Sequence, residues 1–568
     1  MFYARSRIKK KAITLKILLL GGYGVFGGRL TELLLDIEDL EVVICGRNQK
    51  KAEEFCKTHS GNATLTPLGL DRAEIGAQLP VVQPDVVIDA SGPFQAYGSE
   101  KYATIEACLS AKVNYLDFAD AADFVFGVSK FDEQAKAAGI FVISGVSSFP
   151  VLTASVLREL SKSMEIHRVT GGIAPSPYAG VGLNVMRAVV GYAGSPITLF
   201  RDGKRHQAIG LAETLRYTIS VPGKLPLRNT HFSLVDVPDL QVLPPEHPTM
   251  QSIWMGAGPI PEILHRMLNW MAHARAALKL PSFEPLSPLF YWVLNLLKHG
   301  EHRGGMFIHV HGSAEGKPIE KSWHMLAEGD DGPYIPSMAI EAIIRKMLAG
   351  DNPEIGARSA TKELELSDYA RLFEDRPITM GFRQSQDKKT PFRQVLGSAF
   401  DLLPTPLKVF HSVECEQTWQ GRAEVRRGRG LFAKFIGRLF GFPQATKAAT
   451  VSVTQLPAEG GQEWIRTFDG KTFKSSLKAG SGKNSHLMVE QFGPVKVALA
   501  LVLENRKLRF IPRRWSLYSI PMPGFLLPRG NTFEEEKDGR FSFDVEISAP
   551  FVGHIVSYKG TLEPLAQG

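Results

Sequence analysis

The run KILLLGGYGVFGG, residues 16–28, joins a short apolar strand to the start of a helix through a cluster of glycines, and that junction admits few architectures. Gly22, Gly24 and Gly27 have the GxGxxG spacing. In this setting the first glycine permits a tight turn, the second lets backbone approach a pyrophosphate, and the third lets the helix RLTELLLDI pack closely on the sheet. The helix start then offers unbonded N–H groups to phosphate oxygens. Tyr23, Val25 and Phe26 lie between the glycines and share the expected contact surface. Glycine-rich turns that bind nothing exist, so the strand before and the helix after carry more weight than the pattern.

The strand-then-helix unit recurs down the chain. KILLL, EVVIC, ATLTPL, DVVID, NYLDF and IFVIS alternate with helical patterns, which predicts a doubly wound parallel α/β sheet over 14–150, a Rossmann domain. The second strand ends in CGRN, where an NAD enzyme usually places a carboxylate for the ribose hydroxyls. Arg47 stands there instead, beside Asn48, and a guanidinium pairs with a 2′-phosphate in bidentate fashion, so the reading favours NADP over NAD. After DVVID a small-residue loop, Ala90, Ser91, Gly92 and Pro93, is placed to pass close to the cofactor. Asp117 and Asp120 fall at the next strand end, where orienting a ligand and capping a helix explain them equally well.

A chain of 568 residues exceeds one domain. Residues 151–373 read as an α+β substrate domain, with helices at Glu262–Leu278 and Leu286–Leu297 that could cover a substrate cavity or pack as plain core, core being favoured, and a helical return near 337–348. The polar stretch Glu374–Thr390 reads as a linker. Beyond it, 391–566 is strand-rich, an antiparallel sheet or partly closed barrel. Trp419, Trp464 and Trp515 could line an apolar cavity there or serve as ordinary core, and RRGRGLFAKFIGRLFGFP mixes basic and apolar residues as interfacial helices do, although a plain amphipathic element packed on the sheet is the favoured reading.

A net charge of +8 is a mild excess for this length, one that a phosphate-bearing cofactor accounts for, and no nucleic-acid partner is expected. Cys45, Cys56, Cys108 and Cys415 form no CxxC pair, which fits a reducing, cytoplasmic setting without disulfides or zinc. The opening MFYARSRIKKKAITLKILLLGG imitates a signal peptide but leads into glycines, and reads as a basic arm plus the first strand. No apolar run has the length of a membrane span, so membrane contact would be peripheral.

Reduction of an imine or carbonyl needs a proton as well as a hydride, and Tyr97, Asp117 and His324 are the catalytic candidates. His309 and His311 alternate onto one strand face, but no third ligand is near in sequence and no metal is expected. Asp330 and Asp331 read as a turn before a helix.

At GGYGVFGG, CGRN, DVVIDASGPF and YLDFAD together the chain resembles the saccharopine dehydrogenase-like NAD(P)-binding family, and SPITLFRDGK and WHMLAEGDDGPYIPSMAIEAIIRKML extend the resemblance to about residue 370. The resemblance implies a bilobal reductase whose nicotinamide exchanges hydride with an imine or a related carbonyl of a small-molecule substrate. The part after Pro391 is similar to a domain called DUF4166 that accompanies such reductases, which argues against simple lysine metabolism. A competing reading is a protein that binds NADP(H) without catalysis and carries an apolar ligand or lipid in its C-terminal domain.

Overall fold

The computed structural model describes residues 15–180, 182–298, 300–384 and 390–565. The basic arm expected before Leu15 lies outside them. The chain divides into two compact units. The first comprises 1–215, 231–320 and 327–379, and the second 216–230, 321–326 and 380–568.

In the first unit, β1 (Leu15–Leu20), β2 (Leu40–Gly46), β3 (Thr64–Gly69), β4 (Val86–Asp89), β5 (Asn114–Asp117) and β6 (Phe141–Ser144) form a parallel sheet in the order 3-2-1-4-5-6. This is the Rossmann arrangement. Strands β1, β2 and β4 are almost continuously buried, as expected of a parallel sheet covered on both faces. Helix α1 (Val25–Leu34) follows β1, and α2 (Gln49–Thr58) follows β2. A seventh strand, Gly356–Ser359, joins the β6 edge from far along the chain.

A second, mixed sheet is built from β7 (Glu165–Ala174), β8 (Thr214–Tyr217), β9 (Thr230–Leu234), β10 (Ser252–Ala257), β11 (Arg303–Ala314), β12 (Lys317–Glu328) and β13 (Ile378–Gln384). Its order is 8-9-10-7-11-12-13. Strand β13 corrects the linker reading of 374–390. The polar letters misled because Arg383 is buried, its guanidinium donating to the Ser220 carbonyl at 2.6 Å, the Ser220 hydroxyl at 3.0 Å and the Val395 carbonyl at 3.0 Å. Residues 385–389 of that stretch lie outside the described ones.

Helices α3 (Leu183–Tyr192), α4 (Glu262–Leu278) and α5 (Ser287–Leu296) belong to this half of the unit. The assignment of α4 and α5 to core holds for one side only, since Ile263, Trp270, Leu289, Trp292 and Leu296 are exposed. The expected return is α6 (Ile335–Leu348), which packs on α1: Ser337 donates to the Phe26 carbonyl at 3.1 Å and Arg345 to the Leu33 carbonyl at 3.1 Å.

The second unit is dominated by ten antiparallel strands, β14 (Gln417–Arg427), β15 (Thr446–Ala458), β16 (Gly461–Phe468), β17 (Lys471–Ala479), β18 (Met488–Phe492), β19 (Val495–Glu504), β20 (Lys507–Leu517), β21 (Thr532–Lys537), β22 (Arg540–Ala549) and β23 (Gly553–Pro564). Pairing of β19 with β20 closes the ring, so the partly closed barrel of the sequence reading is a closed one. Alternation puts Ala449, Val451 and Val453 of β15 inside. Where β14 coils against β23, Gly421 leaves no room for a side chain, a Cβ there falling 1.9 Å from the Thr561 carbonyl oxygen. Helices α7 (Thr405–His411) and α8 (Leu431–Leu439) complete the unit, α7 bringing Phe410 onto Phe541 at 3.9 Å. Among the described residues no helix is long and apolar enough to cross a membrane.

Candidate functional site

In the order 3-2-1-4-5-6 the chain reverses direction between β1 and β4, and ligands of such sheets sit outside the strand ends at that point. The glycine turn occupies it. Gly21, not Gly22 as the spacing suggested, takes the left-handed turn conformation, with φ 72°. A Cβ on Gly21 would lie 2.6 Å from the Ala90 carbonyl oxygen. The Gly22 N–H donates to the Cys45 carbonyl at 3.0 Å, tying the turn to β2. Gly27 has the packing role read from the sequence, since a Cβ there would lie 2.4 Å from the Gly21 carbonyl oxygen.

Gly24 caps α1 in extended conformation, with no side-chain cap and no acidic residue in the first turn. The Val25, Phe26 and Gly27 N–H groups precede the first possible intrahelical acceptor. Gly24 and Val25 are exposed, so the helix start is open. Its partial positive charge meets no carboxylate within that turn, and the cradle fits an anionic diphosphate.

Beyond β2, the Tyr23 ring lies against Gly46, where a Cβ would come within 2.5 Å of it, and the Tyr23 hydroxyl accepts from the Asn48 N–H at 3.1 Å. Asn48 caps α2 by accepting from the Lys51 N–H at 3.1 Å. Arg47 projects into solvent between them.

At the end of β4, Asp89 is wholly buried and accepts from the Ser91 N–H at 2.9 Å and the Ser91 hydroxyl at 2.5 Å. Tyr97 lies 2.8 Å from Ser91 Oγ and carries the Arg72 guanidinium 3.7 Å from its ring centroid. Burial pushes the Asp89 carboxyl and the Tyr97 phenol upward. Tyr97 is therefore a poor acid, held as a neutral hydroxyl that shapes the Ala90–Pro93 loop. The Gly92 carbonyl in that loop accepts from Asn184 of α3 at 3.0 Å.

Asp117 neither caps a helix nor faces the crevice. It is wholly buried and pins β5 to the end of β6, its Oδ1 accepting from the Ala119 N–H at 2.9 Å, the Gly145 N–H at 2.7 Å and the Ser144 hydroxyl at 3.1 Å. Burial outweighs these bonds and raises its pKa to about 7. Asp120 accepts from Gln95 at 3.1 Å. His324 falls in the second unit, fully buried, accepting from the Ser220 N–H at 3.2 Å and meeting Ser322 Oγ at 2.9 Å. With both ring nitrogens engaged it is a packing residue, which corrects its place among the proton donors.

Two groups escaped the sequence reading. Asp236, just after β9, has its pKa raised to about 7, first by burial and then by the charges of Asp123 and Asp120. The Tyr192 hydroxyl at the end of α3 is bonded by the Asp236 N–H, and burial raises it as well. No motif marks either residue. They reach the loop beside β4 only through the fold, Asp120 being linked to Gln95 of that loop.

Elsewhere, His309 lies 2.5 Å from Glu320 and stacks on His311 at 4.7 Å. Glu320 of β12 thus supplies the third group that sequence proximity did not reveal, the three offering ligand atoms within 4.8 Å of one another. Asp330 meets His302 at 2.8 Å and Asp331 meets Arg376 at 2.7 Å.

Residues 17–143 match the saccharopine dehydrogenase NADP binding domain, and residues 403–562 match a domain of unknown function, DUF4166. The first unit thus carries a dinucleotide-binding domain of the dehydrogenase type. No curated protein matches the sequence. Solved structures similar in part include an amine dehydrogenase from Mycobacterium smegmatis, at 11% identity and TM-score 0.31, covering 61% of this chain and 95% of that one. A WlbA dehydrogenase from Thermus thermophilus in complex with NAD and alpha-ketoglutarate is 11% identical at TM-score 0.28, covering 64% of this chain and 99% of its own.

Asp117 generates a stability test. Its folded pKa stands above its unfolded one, so the native state binds the extra proton between about pH 4 and pH 7. The stabilisation is complete below that window and is lost as pH rises through it. In urea unfolding, Asp117→Asn is expected to lack this contribution, so the gap between variant and wild type should shift in the variant's favour from pH 5 to pH 8. A gap that does not change with pH contradicts the assignment.

Proposed function

We propose that the chain is an NADP(H)-dependent oxidoreductase that reduces or forms a carbonyl or imine in a small molecule. The observation that carries the reading is the open, uncapped first turn of α1 at the point where the parallel sheet reverses its strand order. Its N–H groups, with Gly24 between them and solvent, bind the diphosphate. Arg47, exposed beyond β2 where a carboxylate would select the unphosphorylated ribose, pairs with the 2′-phosphate, and Tyr23 and Asn48 form the surface beneath it. Ala90, Ser91, Gly92 and Pro93 run past the other side. When bound, the nicotinamide supplies or accepts the hydride.

The chain's part is to hold a proton. Asp236 keeps its proton near neutral pH, and a donor poised there serves the substrate oxygen or nitrogen well. Burial maintains that state first, with repulsion from Asp123 and Asp120 adding to it, and Tyr192 fixes the Asp236 backbone. The cysteines are all unpaired, in keeping with a cytoplasmic setting.

Calorimetric titration with NADPH and NADH is expected to show saturable binding with NADPH preferred. Arg47→Ala should weaken NADPH by roughly tenfold, about 1.5 kcal/mol for a charge-assisted contact, and leave NADH unchanged. Equal losses for both dinucleotides would sink the 2′-phosphate assignment. In a screen of ketones and imines followed by NADPH oxidation, Asp236→Asn should lower kcat by about a hundredfold with little change in KM and abolish the alkaline limb of the pH profile, the loss of rate as pH rises through about 7. Unaltered kcat in that variant removes Asp236 from the chemistry, and binding without turnover of any substrate leaves the chain a binder.

A further inference from the structure

The ten-stranded barrel of the second unit encloses a cavity of about 430 Å³, within the range of small-molecule sites, roughly 300–1,000 Å³. Protein interiors are otherwise close-packed, and an unfilled apolar void of this size costs stability that packing would recover. Val451, Val453, Leu477, Val497, Phe543 and Val545 are among its walls, and Trp464 and Trp515 face it, whereas Trp419 lies in the surrounding core.

Of the ionisable side chains that line it, Arg466, Glu490 and Glu534 are already matched, whereas Arg529 is exposed and Glu546 half-buried. Arg466 donates to Glu490 at 3.0 Å and to the Ser475 hydroxyl at 2.7 Å, and that hydroxyl donates to Glu490 at 2.8 Å. Glu534 meets the buried His411 at 2.6 Å. An anionic head group carried inside would face Glu490 and Glu534 with Arg466 already committed to Glu490, and the remaining lining cation, Arg529, is exposed. A neutral ligand bearing a hydroxyl, carbonyl or ester meets no such cost.

The rim explains where such a ligand comes from. Ile436 of α8 and Phe440 at its C-cap line the cavity, while Leu431, Phe432, Phe435 and Leu439, on the adjoining solvent-facing side of the same helix, are 83%, 74%, 66% and 67% exposed. Phe551, 90% exposed, sits between the lining residues Pro550 and Val552, and exposed Phe525 precedes the lining residue Leu526. Arg429, Lys434 and Arg438 are exposed alongside the α8 stripe. Apolar side chains flanked by cations at the mouth of an apolar cavity match the chemistry of an anionic bilayer surface.

We infer that the barrel is a binding site for one neutral, lipid-like molecule, taken up from an anionic membrane on which α8 docks. Neither uptake nor docking depends on the dinucleotide site. The first test titrates the whole chain with the methyl ester of dibrominated stearic acid, a bromine quencher, and reads tryptophan fluorescence. Saturable quenching is expected, with the free acid binding more weakly, and with about tenfold weaker quenching in Val497→Phe combined with Val545→Phe. Should that variant fail to melt cooperatively, Trp464→Phe with Trp515→Phe tests the location instead, since the quenchable signal should fall. Absence of saturable quenching, or quenching unchanged in these variants, overturns the cavity site, and tighter binding of the acid overturns the neutral head group. The second test sediments the chain with vesicles of phosphatidylglycerol or phosphatidylcholine. Binding is expected to the former only, to weaken with salt, and to be lost in Phe432→Asp with Phe435→Asp. Retention by that variant overturns docking through α8.

Discussion

The contact between the Gly21 carbonyl oxygen and α1 sets the geometry of the first unit. Only hydrogen at Gly27 lets the helix approach that oxygen, and only a left-handed Gly21 lets the turn clear the Ala90 carbonyl. The two constraints bring the α1 N-terminus to the gap between β1 and β4. Its N–H groups then present a local positive end on that edge, and the exposed Arg47 adds a full charge nearby. A cradle suited to a dinucleotide's diphosphate thus grows out of backbone packing, before any side chain is involved.

Buried polar groups do the remaining positioning. Asp89 gathers Ser91, Tyr97 and Arg72 at the end of β4, and Asp117 fastens β5 to β6. Both carboxyls are pushed upward by burial, a cost borne because their hydrogen bonds fix loops that ordinary apolar packing would leave undirected. Arg383 plays the same part in the second unit, where desolvation lowers it to about 10 and three bonds hold it in place.

Local signals were legible in the sequence and assembled ones were not. The glycine turn, the alternation of strand and helix and the barrel strands are written in neighbouring residues, so their periods survive without knowledge of the fold. The turn residue itself was misplaced by one, because GxGxxG describes Gly22 while Gly21 bears the positive φ. Asp236 and Tyr192 could not be found that way, since they come together only where the ends of α3 and β9 meet. Glu320 reaches His309 through strand pairing, and Arg383 disguised a strand as a linker because its partners are carbonyls that no residue letter records. The same holds for α8, whose mixture of basic and apolar residues was visible while the cavity behind it was not.

Amide hydrogen exchange read by mass spectrometry over the peptide spanning residues 20–28, with and without NADPH, bears most directly on the claim that backbone N–H groups hold the dinucleotide. Slowed exchange in that peptide on adding NADPH is expected, and it should persist in the Arg47→Ala chain at saturating cofactor. Unchanged exchange there, with NADPH demonstrably bound, would place the dinucleotide elsewhere and contradict the account.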